Sequence, residues 1–120
     1  MQTRTEVPVL SATTLIGDQV VNQQGENLGK LEELMIDLDE GKIAYAVLSF
    51  GGFLGLGDKL FAIPWDALTV DTVNERIELD IQKETLKDAP GFDKDNWPET
   101  TDRQWLKDVY GYYGYEPYWS

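Results

Sequence analysis

Between residues 28 and 50 the spacing of apolar side chains changes character, and that change organises the rest of the chain. Leu34, Ile36 and Leu38 alternate with Met35 and Asp37, the period-two pattern of a strand with one buried face, which predicts a strand over residues 28–39. Asp39-Glu40-Gly41-Lys42 follows as a hairpin tip, with Gly41 able to supply a left-handed residue. The next stretch, "KIAYAVLSF", is apolar on both faces. Ile43, Tyr45 and Val47 fall on one face, and Ala44, Ala46, Leu48 and Phe50 on the other. A strand wetted on one side alternates more cleanly, so this one is central and something covers its outer face.

The same reading extends in both directions. Residues 11–17 form one helical turn, residues 18–22 a first strand, and "NQQGEN" a turn around Gly25. Residues 59–64 read as a strand stopped by Pro64, which cannot donate to a ladder, and "WDAL" as a further helical turn. Residues 68–81 are a hairpin turning near residues 72–75, where Ile77, Leu79 and Ile81 alternate with Arg76, Glu78 and Asp80. "QKETLKDAP" is a short helix ended by Pro90-Gly91. A last helix is predicted over residues 98–110. Pro98 suits its first turn, Glu99 and Asp102 complement its positive end, and Trp105, Leu106 and Val109 share one face. Three regions result: a loose arm over 1–12, a strand-rich body over 13–88, and a helical, aromatic-rich extension over 89–120.

Composition narrows the chemistry. A chain of 120 residues, 42% hydrophobic, is one domain with enough apolar surface for a single core. The formal charge of −12 repels phosphate backbones and anionic headgroups, which argues against nucleic-acid and polybasic membrane binding. No apolar run reaches bilayer or signal-peptide length, so the expectation is a soluble, cytoplasmic chain without an integral membrane segment. Cysteine and histidine are absent, which removes thiolate nucleophiles, Cys/His zinc sites and any Ser-His-Asp triad. Catalysis would rest on carboxylates, Lys or Tyr. No catalytic residue, cofactor or metal is assigned.

The glycine-rich stretch "SFGGFLGLGDKL" invites comparison with a phosphate loop. Gly52 and Gly57 have the required separation, but Asp58 precedes Lys59, no hydroxyl follows, and the next segment is strand-like. A phosphate loop needs Gly-Lys-Ser/Thr leading into a helix whose free amides face the anion. The stretch therefore reads as a wide bend between two paired strands. Its apolar residues Phe53, Leu54 and Leu56 either fold back on the rim or present a small contact patch. "FDKDNWPE" places Asp93, Asp95 and Asn96 together, but Trp97-Pro98 occupy positions a calcium loop needs, so Asn96 or Asp95 reads as a helix cap.

Taken together, "GENLGKLEELMIDLDEGKIAYAVLSFGGFLGLGDKLFAIPWDAL" closely resembles the PRC-barrel family. The resemblance rests on Gly25, Gly29-Lys30, Asp37, Gly41, Tyr45-Ala46-Val47, Gly51-Gly52, the 55–59 loop and Pro64-Trp65, and covers about residues 13–85. That family's module is shared by the photosynthetic reaction-centre H subunit and a ribosome maturation factor. The resemblance implies a mainly β fold, a small, strongly bent antiparallel barrel, generally without catalytic residues and used for docking or assembly. This chain lacks the transmembrane helix of the first relative and the preceding domain and basic surface of the second, so neither role is carried over. Its C-terminal part looks like the extension of stand-alone bacterial or archaeal members.

The segment "YGYYGYEPYW" gathers Tyr110, Tyr112, Tyr113, Tyr115, Tyr118 and Trp119. A barrel this small has no interior room for these rings. They cover the outer face of the chain's own central strand, or reach a partner subunit and build a homodimer, or form a platform for a sugar or other small ligand. The expected function is a non-catalytic protein–protein interaction or assembly module, with an unknown protein partner and a homodimeric state. Small-molecule or carbohydrate binding on the Tyr/Trp strip is the alternative, and a carboxylate- or metal-dependent hydrolase ranks third because no acid is singled out.

Overall fold

The computed structural model describes residues 5–50, 59–93, 97–98 and 102–119. The elements run α1 (Ala12–Leu15), β1 (Gln19–Val21), β2 (Asn27–Asp37), β3 (Lys42–Phe50), β4 (Lys59–Ile63), a 3-10 turn (Trp65–Ala67), β5 (Leu68–Asp71), β6 (Arg76–Leu79), α2 (Lys83–Lys87), β7 (Gly91–Asp93) and α3 (Arg103–Tyr112). The fold is mainly β. The strands form one seven-stranded sheet in the order β5-β6-β1-β2-β3-β4-β7.

This corrects the expected closed antiparallel barrel in two respects. Among the described residues no ladder joins β5 to β7, so the sheet stays open at both ends. One pairing is parallel: Val20 of β1 lies beside Ile77 of β6, and Val21 beside Glu78. The cause is the link after β4. Pro64 and the 3-10 turn replace a hairpin, so the chain enters β5 without being sent back along its neighbour. That link also bends the sheet. β4 and β5 stand far apart in strand order, yet the path from Ile63 to Leu68 reaches at most about 18 Å. The sheet curls until its two ends are close.

Curling makes the concave face the core. Val20, Leu28, Leu31, Ala46, Leu48, Phe50, Phe61, Ile63, Ile77 and Leu79 meet there with Leu15 of α1 and Leu86 and Ala89 from α2 and its end. Register shifts supply the bends: Leu28 is passed over between β1 and β2, and Glu32 between β2 and β3. Gly29 sits in the crowded crossing with φ of +118°, where an added Cβ would stand 2.0 Å from the carbonyl oxygen of Ser49. Asn22, 3% exposed, ties the turn after β1 to the sheet. Its Oδ1 accepts from the amides of Gln24 and Glu26, and its Nδ2 donates to Glu26 Oε1 and to the carbonyl of Ile81.

Several local expectations shift. The predicted buried run on β2 ends at Leu34, because Ile36 is 54% and Leu38 90% exposed at the far end of the hairpin. A third register shift, between Met35 and Ile36, passes over Ala44 and turns it to the face opposite Ala46. The tip is Leu38–Gly41, one residue earlier than predicted, because Asp37 Oδ1 accepts from the amides of Asp39 and Glu40. The β5–β6 hairpin repeats this construction. Asp71 Oδ1 accepts from Val73 and Asn74, and Glu75 takes φ 53° where Gly41 takes 67°. The third helix begins at Arg103, where the Asp102 side chain accepts from the Gln104 amide, and not at Pro98. The predicted caps Asp95 and Asn96 lie outside the described residues. β7, which pairs with Lys59–Phe61, has no counterpart in the sequence reading.

Candidate interaction surface

The outer face of the central strands is apolar because β3 is apolar on both sides, and α3 lies on it. Tyr45 and Val47 of β3 and Leu60 and Ala62 of β4 form a second cluster with Leu106, Val109 and Tyr110 of α3, and Ala44 joins through its register shift. Burying an aliphatic side chain such as Leu106 contributes about 1.5–3 kcal/mol, so the cover stabilises the sheet. Trp105 meets Tyr45 edge-on at 5.4 Å, and Phe92 of β7 meets Trp97 at 5.2 Å.

The helix end turns the tail back. The amide of Tyr115 donates to the carbonyl of Tyr110 and that of Gly114 to Gly111, with Gly114 at φ +80°, the paired bonds of a Schellman cap. The chain then reverses, and Tyr118 and Trp119 pack on Tyr110 with centroids 5.9 and 6.4 Å away. Three polar contacts fasten this end. Tyr118 donates from its hydroxyl to Asp37 Oδ2 at 2.5 Å, Lys42 Nζ donates to the Tyr118 carbonyl at 3.5 Å, and the Arg103 guanidinium lies 5.1 Å from the Trp119 ring centroid. Asp37 and Lys42, which the sequence offers only as hairpin residues, are thus the tail's anchors. No local pattern marks them, since the contact spans most of the chain.

The predicted surface residues therefore separate. Tyr110 is 1% exposed, and its hydroxyl donates to the Ala44 carbonyl. Burial and the nearby Asp66 charge push its pKa up to about 12. Tyr113 packs between both clusters, and burial raises its phenol well above the ordinary range. Tyr118 and Trp119 are half-buried. Tyr112 and Tyr115 are 39% and 40% exposed, and Tyr112 donates to the Thr85 carbonyl. Phe53, Leu54 and Leu56 lie outside the described residues. Between the tail and the sheet is a cleft of about 360 Å³ lined by Lys42, Ile43, Trp65, Asp66, Tyr110 and Tyr118. Among the described residues, no three acids are gathered as metal ligands, and no helix is long and apolar enough to cross a membrane.

The large apolar side chains left outside both clusters sit elsewhere. Leu38 and Val73, 90% and 87% exposed, stand on the tips of the two Asp-closed hairpins. Val7 and Val9 are exposed on the segment before α1.

Residues 8–86 match the model of a family described as PRC-barrel domain. Among solved structures, the chain is similar to a 16S ribosomal RNA processing protein, RimM, from Pseudomonas aeruginosa, with 21% identity and a TM-score of 0.46. That match covers 69% of this chain and 50% of the other, so it spans half the length of the solved relative. No curated protein matches.

Proposed function

Because the chain belongs to the PRC-barrel family, matched over residues 8–86, we propose that it is a non-catalytic docking module that assembles with other protein chains. One observation carries the reading: the two most exposed large apolar side chains among the described residues, Leu38 and Val73, each stand on the tip of a hairpin closed by an aspartate. Leu38 and Val73 contribute nothing to either core cluster, yet each tip is fixed by an aspartate that accepts successive backbone amides. An exposed apolar side chain on a preorganised turn loses little freedom when a partner buries it. Three of the tail's hydroxyls are occupied in holding structure, as Tyr110, Tyr112 and Tyr118 each donate to a named acceptor. Self-association belongs to the same proposal and is supported by the edge strands β5 and β7, each paired on one side among the described residues, since an unpaired edge is a template for another strand.

The test is quantitative recovery of partners by the tagged chain in its native cell, set against the double variant Leu38→Ser, Val73→Ser. Those substitutions leave the clusters intact, so the variant is expected to fold as before and to lose a defined partner. A partner set recovered equally by both forms overturns the reading. Sedimentation velocity across a concentration series checks the dimer, and a strict monomer at the highest concentration removes that part.

A second reading, binding of a small ligand in the tail cleft, is favoured by the cleft's volume of about 360 Å³ and its Trp65 and Tyr118 walls. Titration of tryptophan fluorescence with a ligand panel checks it.

A further inference from the structure

Resting on the docking reading, we infer that the groove between α1 and the β5–β6 hairpin receives a basic, aliphatic segment of a partner protein, with an arginine or lysine beside a leucine or valine. The groove has a volume of about 260 Å³. Leu10, Leu15 and Val70 supply its apolar surface, and Asp18, Asp71 and Glu75 its charged groups; among the described residues no basic one lines it.

The acids are not equivalent. Asp71 is committed to its turn: it accepts from Val73, Asn74 and the Asn74 amide group, and Arg76 Nε lies 3.6 Å away. Those bonds, led by the Asn74 side chain, lower its pKa, so it remains anionic. Asp18 and Glu75 have no cationic partner among the described residues. An apolar trough edged by unneutralised carboxylates accepts a side chain with an aliphatic stem and a cationic head, which is the construction of arginine and lysine. The whole chain carries −12, so the approach of a basic segment is steered from a distance while an acidic one is repelled. Leu10, 49% exposed, and the neighbouring Val9, 80% exposed, extend the apolar surface from the groove along the segment before α1. The Val73 tip stands at the end of the same hairpin, so one segment reaches both.

The experiment uses the full chain with methyl-labelled leucine and valine. The probe is a blocked pentapeptide of alternating leucine and arginine, compared with the same peptide carrying glutamate for arginine. Methyl resonances of Leu15 and Val70 are expected to shift with the arginine peptide alone, and the binding to weaken as salt is raised. Asp18→Asn combined with Glu75→Gln is expected to weaken binding about fivefold, the effect two exposed ion pairs supply. Asp39→Asn with Glu40→Gln, on the other hairpin, is expected to leave it unchanged. Equal shifts with the glutamate peptide, or Leu15 and Val70 methyls unmoved by the arginine peptide at constant protein concentration, each overturn the inference. If partner recovery depends on Leu38 and Val73 while the peptide leaves Leu15 and Val70 unmoved, the inference fails and the docking module stands. If recovery is indifferent to both tips, the broader reading fails.

Discussion

The hydroxyl of Tyr110 donates to the carbonyl of Ala44 at 2.7 Å in a buried site. Ala44 is the residue passed over in the β2–β3 register and has no paired residue in β4 either. The irregularity in the central strand and the tyrosine of the covering helix form one unit. Tyr110→Phe keeps the ring and leaves the carbonyl buried without that donor. The expected loss is about 1–3 kcal/mol, read as a lowered urea midpoint with unchanged slope. Tyr110→Ala is expected to cost about 3–5 kcal/mol, because the cluster with Val109 and Leu106 also loses one of its two fully buried tyrosine rings.

Gly29 is the most crowded of the described glycines. A Cβ there would press on the Ser49 carbonyl from 2.0 Å, and both atoms belong to hydrogen-bonded strands. Gly29→Ala is expected to destabilise by about 3 kcal/mol or more, from a clash and a disfavoured φ together. Thermal unfolding followed by circular dichroism checks it; a shift of only a degree or two refutes the crowding argument.

The two hairpins share one plan, but glycine fills the left-handed position in the first and Glu75, at φ 53°, fills it in the second. Glu75→Gly is expected to stabilise the protein by about 0.5–1 kcal/mol, since the strain of a side chain in that region exceeds the freedom glycine adds to the unfolded chain. Denaturant titration in high salt, which screens the lost charge, isolates the backbone effect.

Acid and alkali act on opposite partners of the tail anchor. The Tyr118 hydroxyl, then the Glu40 and Asp39 amides, hold the Asp37 carboxyl below its ordinary 3.8. Folding favours the anion, so its contribution is present above pH 3.8 and is lost as pH falls through the lower folded value. Tyr118, raised by burial and by Asp37, and Tyr110, pushed up to about 12, favour the protonated phenol when folded. Their contribution is complete below the ordinary 10.0 and is lost as pH rises toward 12. The expected result is a plateau in stability, with Trp119 emission changing at the acid edge and phenolate absorbance appearing late at the alkaline one. Tyr118→Phe is expected to remove the acid-edge emission change while sparing the alkaline step of Tyr110.

Much of this architecture is written locally. Period-two spacing gives the strands, Gly41 and Asp37 place the first hairpin, and Pro64 ends β4. The two-faced apolarity of residues 43–50 foretells a cover, and α3 lies on that outer face. What depends on register is not legible. Ala44 changes face because of a shift relative to β2, and Leu38 is exposed because the hairpin outruns the core, though both look like core in the alternation. β7 is too short to carry a period. The start of α3 falls on Asp102, since a side chain that reaches the Gln104 amide outweighs a proline at a suitable position. The tail's anchors, Asp37 and Lys42, meet Tyr118 only after the whole sheet exists.

The parallel seat of β1 between β2 and β6 bears on how the molecule is made. Val20 needs Ile77 beside it, so during synthesis the first strand has one bare flank until most of the sheet has left the ribosome. The first strand of the sheet is therefore locked in place only by its sixth.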